Sequence, residues 1–323
     1  MIMKNIDKKI KKGVGLLAIF FTTASTAGFI SCSEDDEKLS GSVSSNTIAA
    51  GYDTDRFAQK ISGYELLKNG EKRLTSEAFF TSTDNKLTSM TMTNYEYYSD
   101  DEIDKYTEVY AFDYKKDEIV MNTVTPDGSG QGVPVVMNLG EHGYPQSLVG
   151  KYQASIWVDE DKKITPSYEK SGTFTYDANN RLTEMYIEDK ITYSDEDLAW
   201  LKQNQYWYEK SYTSLDKFTY DENGNLTTYT SREKQEGESA YTDVLTFKYT
   251  SYKNKNGFFI TDAHYMFPYA SFVFKSTPNL VKEITEGNNH KYTYDYEFDE
   301  DGYVTKVIET ENNSGVTEYI FEY

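Results

Sequence analysis

The sequence predicts an all-β fold: an antiparallel meander of roughly 12–14 strands forming a curled sheet, half-barrel or barrel, with one short helix. Three observations predict it. A ten-residue signature recurs, as FTYDANNRLT (174–183), FTYDENGNLT (218–227) and YEFDEDGYVT (296–305). Apolar and polar residues alternate on both sides of each copy, which is the period of a strand. Aromatics make up 15% of the chain, with 30 Tyr against 17 Phe. Tyrosine suits a pleated, half-wet surface, because its ring packs while its hydroxyl stays hydrated.

Taken in chain order, the first element is a targeting segment. Lys4, Lys8, Lys9, Lys11 and Lys12 stand against the single acid Asp7. An apolar run over 13–31 follows and ends at Cys32, the pattern of a secretory signal peptide over residues 1–31. Thr22, Thr23, Ser25 and Thr26 weaken the run as a permanent membrane helix. Cys32 is the single cysteine, so an internal disulfide is excluded. Residues 32–55, rich in Ser, Gly, Asp and Glu, read as an acidic, polar flexible tether, and 56–323 as one β domain.

Phe29-Ile30-Ser31-Cys32 resembles a bacterial lipobox, departing from it at Phe29, where a smaller aliphatic residue is usual. The resemblance implies diacylation of Cys32, which becomes the mature N-terminus and the membrane contact. Ser33-Glu34-Asp35-Asp36-Glu37 is similar to the acidic tract that directs Bacteroidota lipoproteins to the outer face of the outer membrane. The expected location is therefore the outer membrane, lipid-anchored and facing the cell exterior.

Cleavage after residue 31 removes five lysines and one aspartate, so a net charge of −20 becomes −24 over 292 residues. Nucleic acid is excluded as a partner, since phosphate binding relies on Lys and Arg.

Each residue type in the signature has a folding reason. An Asp at the first turn position accepts hydrogen bonds from amides further along, and Gly224 supplies the left-handed conformation of a bulged hairpin. Tyr220 is expected opposite Leu226 and Phe218 opposite Thr228, with Phe218, Tyr220 and Leu226 on one face. Phe174, Tyr176 and Leu182, and then Tyr296, Phe298 and Val304, repeat that cluster. Met185 and Ile187 fall on the face opposite Leu182, which implies apolar area on both faces. Fainter copies lie at 79–88, 110–120, 137–146 and 272–281, where Lys275 replaces the Asp. Seven hairpins imply about fourteen strands. The stretches 125–134 and 231–240 read as polar loops. A helix is expected from Ser194, with Asp197 completing a capping box and Leu198 and Leu201 as its apolar stripe, covering an edge of the sheet.

The Tyr-Asp turns are similar to the YD repeats of Rhs-type toxin shells, without their long array or their cargo. The lipobox, acidic tract and Tyr-rich hairpins together resemble a family of uncharacterised Bacteroidota lipoproteins described as having a porin-like fold. That resemblance implies an antiparallel barrel or half-barrel and brings no catalytic residues. The terminal YIFEY is also a feature of membrane barrels, but Thr, Lys and Glu interrupt the rows that lipid would require to be apolar.

Chemistry leaves few traces. His142, His264 and His290 are scattered, and no Gly-x-Ser-x-Gly elbow is present. Asp262 and His264 lack a second ligand pair, so no metal and no cofactor are expected. Asp299-Glu300-Asp301-Gly302 imitates a calcium loop, but its closing Glu position is Ile308. No catalytic residue is assigned. The remaining candidate is an aromatic ligand platform at Tyr206, Trp207 and Tyr208, with Trp157, Trp200 and Tyr212 as further aromatics. Packing into the sheet's own core is the competing use of such rings. The expectation is a non-catalytic binding module with polysaccharide as the favoured partner and another surface protein as a further one. The alternatives are a structural or adhesive scaffold and a glycoside-cleaving enzyme.

Overall fold

The computed structural model describes residues 28–29, 58–83, 86–99, 102–124, 134–141, 143–153, 156–159, 162–206, 208–255, 258–259, 277–287, 290–312 and 315–323. Cys32, the expected tether, Trp207, Asp262 and His264 lie outside them, as do the rest of the expected signal segment, residues 125–133 and the turn of the 272–281 copy. Sixteen antiparallel strands close into a barrel, each hydrogen-bonded to its neighbours in sequence. They are β1 (Lys60–Leu66), β2 (Lys72–Thr83), β3 (Lys86–Ser99), β4 (Glu102–Tyr114), β5 (Glu118–Val124), β6 (Val135–Leu139) and β7 (Pro145–Gln153), then β10 (Ser167–Tyr176) and β11 (Leu182–Thr192). The series continues with β12 (Tyr212–Tyr220), β13 (Leu226–Gln235), β14 (Tyr241–Lys253), β15 (Asn279–Glu286), β16 (His290–Phe298), β17 (Val304–Glu311) and β18 (Gly315–Glu322). A separate hairpin, β8 (Ile156–Asp159) with β9 (Lys162–Ile164), and helix α1 (Asp195–Gln203) are inserted into this series. The first strand closes on the last, Ile61 facing Phe321 and Gly63 facing Tyr319, so no strand edge is left open.

Six of the seven signature turns join strands at one end, here called the base, where β1 begins and β18 ends; the turn of the copy at 272–281 lies outside the described residues. At the turns of the three full copies the Asp does what its position requires. Asp221 Oδ1 accepts the amides of Asn223 (2.9 Å) and Asn225 (2.8 Å). Asp177 holds those of Asn179 and Arg181, and Asp299 those of Asp301 and Tyr303. Gly224 and Gly302 are left-handed, at φ 89° and 84°, and Asn180 takes that place at 58°.

The closing Thr also has a role. Thr183, Thr227 and Thr305 are the bulged residues, skipped in the pairing of their strands. Each hydroxyl donates to the carbonyl across the bulge, on Thr175, Thr219 and Glu297, and Thr88 does the same to Thr81 in the 79–88 copy. Tyrosines then stitch hairpin to hairpin. The hydroxyls of Tyr114, Tyr220 and Tyr323 donate to the carbonyls of Leu87, Leu182 and Val304, each one hairpin earlier.

The bulge corrects two expectations. Tyr220 does face Leu226, but Phe218 faces Tyr229 rather than Thr228. Skipping one residue moves everything beyond it to the other face. For the same reason Met185 and Ile187 share the inner face with Leu182, and all three are buried. The apolar area that alternation alone spreads over both faces is gathered on one.

That face points inward. On β10, Tyr168, Gly172 and Phe174 are buried while Glu169, Ser171, Thr173 and Thr175 are exposed. On β14, Asp243, Leu245 and Phe247 are buried while Thr242, Val244, Thr246 and Lys248 are exposed. A single core cluster fills the base with large residues such as Met92, Phe112, Met137, Phe174, Phe218 and Phe247. The 231–240 stretch is less loop than expected, since β13 runs on through Gln235. Helix α1 starts as its sequence suggests, with Ser194 Oγ accepting the amide of Asp197 and Leu201 fully buried.

Candidate functional site

Along each inward row, the residues change character from base to mouth. Row by row, β12 runs Tyr220, Phe218, Asp216, Ser214, and β14 runs Tyr249, Phe247, Leu245, Asp243. Asp189, Ser214, Asp216, Ser231 and Asp243 are all at least nine-tenths buried, on four consecutive strands. Such groups need partners in a low-dielectric interior. Asp216 accepts the hydroxyls of Tyr229 (2.9 Å) and Ser214 (3.2 Å). Burial nevertheless pushes its carboxyl up, against the pull of the hydrogen bonds from Tyr229 and Ser214. Burial, then the charges of Asp216 and Asp243, pushes Glu233 up as well. Across the barrel Glu108, raised by burial, accepts the hydroxyl of Tyr110.

The densest chemistry lies where the α1 connection returns to the wall. Tyr152 and Tyr168 stack, with centroids 4.6 Å apart and planes 5° from parallel. Lys170 pairs with Asp189 at 3.1 Å, both side chains nine-tenths buried. Glu209, just before β12, accepts the hydroxyl of Tyr168 at 3.2 Å. Burial pushes Glu209 up to about 7; the Tyr168 hydrogen bond and Lys170 oppose this, and the Asp189 charge adds to it.

The structure places two of the three platform residues here, both half-buried. Tyr206 stacks on Trp200, with centroids 5.2 Å apart and 17° between planes. Tyr208 meets Tyr193 edge-on at 5.7 Å. Lys162 bridges the inserted hairpin and the helix, 2.8 Å from Asp197 and 5.7 Å above the Trp200 ring. Trp157 sits on β8 of that hairpin. Tyr212 opens β12 directly after this connection.

Sequence reasoning missed Tyr168, Lys170, Asp189 and Glu209. A usable signal was present for part of them, because polar residues occupy the core-facing period of Ser214-x-Asp216-x-Phe218 and Asp243-x-Leu245-x-Phe247. Among the described residues no group of three His, Cys, Asp or Glu side chains is placed to hold a metal ion.

The fold and this site define a closed sixteen-stranded up-and-down barrel with a packed base and a tyrosine- and carboxylate-lined mouth. Solved structures similar to the chain include a porin-like protein of Bacteroides uniformis, 15% identical, with a TM-score of 0.49, covering 82% of this chain and 98% of its own. A porin-like protein of Bacteroides vulgatus is 12% identical, with a TM-score of 0.45, covering 83% of this chain and 99% of its own. No protein-family model and no curated protein matches the chain.

Proposed function

We propose that the protein is a lipid-anchored, surface-exposed outer-membrane module that binds a polysaccharide at its mouth and does not catalyse. The carrying observation is the polarity of the wall, apolar at the base and lined with tyrosines and carboxylates toward the mouth. A lipid-spanning barrel needs the reverse, an apolar outer band about 25 Å tall. The outward residues of β10 and β14 are instead mostly Thr, Ser, Lys and Glu. Cys32 supplies the membrane contact in this reading, and no cofactor is required.

Tyrosine rings beside carboxylates suit sugars, whose C–H faces pack on rings while their hydroxyls donate to acids. A second reading, an adhesive scaffold, is favoured by one feature: Trp200 already has Tyr206 stacked on it and Lys162 against its ring. Thermal melts of the soluble chain against a polysaccharide panel separate the two. A ligand at about 100 times its dissociation constant adds roughly 2.7 kcal/mol. A shift confined to one glycan class, lost in Trp200→Ala or Tyr206→Ala, supports the binder. A flat panel moves the assignment to the scaffold, and release of reducing sugar moves it to the glycoside-cleaving enzyme.

A further inference from the structure

At the mouth end, three ionisable side chains meet on the inner face of neighbouring strands. Glu286 ends β15, His290 opens β16 and Glu311 ends β17. Their direction follows from the pairing. Glu286 faces Leu245 and His290, Glu311 faces Tyr292, and Leu245 and Tyr292 are both buried. The imidazole lies between the two carboxylates: its Nδ1 is 3.3 Å from Glu286 Oε2, and its Nε2 meets Glu311 Oε1. The Tyr292 ring packs beside it, with centroids 4.8 Å apart and 40° between planes.

That geometry decides the charge on the ring. A neutral imidazole has one N–H and one lone pair. With an acid at each nitrogen, a neutral ring would turn its lone pair on a carboxylate oxygen. The imidazolium donates at both, and opposite charges at this range favour the charged form. The acids sit on different ring nitrogens and do not converge on one point as metal ligands would, in keeping with the lack of such a group among the described residues. The further charges on this side are also acids. Asp243 and Glu286 both act on Tyr241 of β14, and Glu309 is the next inward residue of β17, opposite the buried Tyr294. Lys291 pairs with Glu283 at 2.6 Å on the outer face, and β18 starts with the uncharged Gly315, Val316 and Thr317.

We propose that His290 is a proton-dependent staple of the mouth rim, an imidazolium that ties the end of β15 to the end of β17 across the start of β16. The strands stay paired when the proton leaves. Asn312 still donates its amide to the Lys291 carbonyl at 2.9 Å, and the Lys291 amide still donates to Asn312 Oδ1 at 2.8 Å. What is lost is one of the two side-chain bridges, which leaves a carboxylate on the inner rim without its donor. A histidine that holds its proton more tightly when folded adds stability that is complete below its unfolded pKa of about 6.5. That stability is lost as pH rises through the folded value. The inference does not depend on what the mouth binds.

Proton NMR of the chain from pH 5 to 9 follows three histidines, His142, His264 and His290. His290→Gln identifies the third resonance by its disappearance. Two carboxylates in contact should place its midpoint roughly one pH unit above the ordinary value of about 6.5. Glu286→Gln or Glu311→Gln should each lower it by about half a unit. Glu283→Gln, which removes the same charge from the outer face of β15, should move it less. A midpoint at or below about 6.5, or shifts in both contact variants no larger than that of Glu283→Gln, overturns the staple. Should His290→Gln not fold, His142→Gln and His264→Gln identify the resonance by elimination. Urea titrations give the second readout: the stability lost in His290→Gln should shrink as pH rises from 6 to 9. A loss that stays constant over that range assigns the ring to packing on Tyr292 and overturns the staple.

Discussion

Replacing Asp221 with alanine tests whether the recurring signature is a folding device. Two backbone amides, those of Asn223 and Asn225, lose their acceptor, and the Asn225 side-chain amide loses a 3.2 Å contact. Hydrogen bonds to a charged acceptor are worth about 1.5–3 kcal/mol, but this turn is partly open and water replaces some of them. About 1 kcal/mol for each backbone bond gives a cost of about 2 kcal/mol. In a domain this large, 1 kcal/mol moves the melting temperature by about 2 °C, so the expected fall is about 4 °C. Asp221→Asn keeps an oxygen in place and should lose less than half of that. Asp299→Ala should cost about the same, because its carboxylate holds the same pair of amides at 2.9–3.0 Å, and Asp177→Ala somewhat more, because it also loses the Arg181 guanidinium at 2.7 Å. Calorimetry of the soluble chain, with a urea titration to confirm an unchanged slope, measures it. A variant melting within 1 °C of the parent would refute the turn argument. So would one that melts normally but no longer binds a ligand, since that makes the signature a site.

Other positions sharpen the account. Tyr220→Phe removes a hydroxyl that donates 2.8 Å to the Leu182 carbonyl and should cost about 1 kcal/mol by chemical denaturation. Tyr176→Phe, at the equivalent place one hairpin earlier, removes a buried hydroxyl with no partner and should be neutral or stabilising in the same experiment. Gly172→Ala puts a methyl 2.5 Å from Ile187 Cδ1 and 3.1 Å from Leu148 Cγ, and overpacking of this kind costs about 1–3 kcal/mol. Lys248, then Lys291, holds the Glu283 carboxyl below its usual range. A depressed carboxylate contributes stability above its ordinary pKa and loses it as pH falls, so Glu283→Gln should flatten the acid limb of the stability profile below about pH 5.

Much of the fold was legible because the base hairpins are local. Six turns read from the sequence join twelve of the barrel's strands, β2 to β7, β10 to β13, β16 and β17, while β14 follows the alternation at 241–249 and β15 carries the end of the 272–281 copy. The remaining two, β1 and β18, share no base turn with a neighbour. Their pairing joins residues near 61 to residues near 321, a contact that no local pattern encodes. The face assignment failed at one point for one reason. Alternation was carried past Thr183 and Thr227 as though they were ordinary strand residues, and each bulge reverses the faces beyond it. The mouth was harder still. Lys170 and Asp189 are ordinary charged residues in sequence and become a buried ion pair through register alone. Glu209 acquires its raised pKa from burial against the wall, where it meets Tyr168, forty-one positions away.

Sixteen strands alone do not decide between a channel and a cup, because barrels of that width can enclose water. Wall polarity is what supports the proposed cup. In a channel the apolar residues of each strand face lipid and the polar ones face the lumen. Here Phe174, Phe218 and Phe247 point into the base, while the neighbouring Thr173, Thr219 and Thr246 point out. A one-residue slip of register would reverse the two sets, but the Asp turns and the Thr bulges pin the register at the three full copies of the signature. The ten-residue repeat therefore does more than reverse the chain. Placing a bulge at the base of these hairpins sends the large side chains inward there, while the inner rows nearer the mouth carry the buried groups Asp216, Asp243 and Asp189.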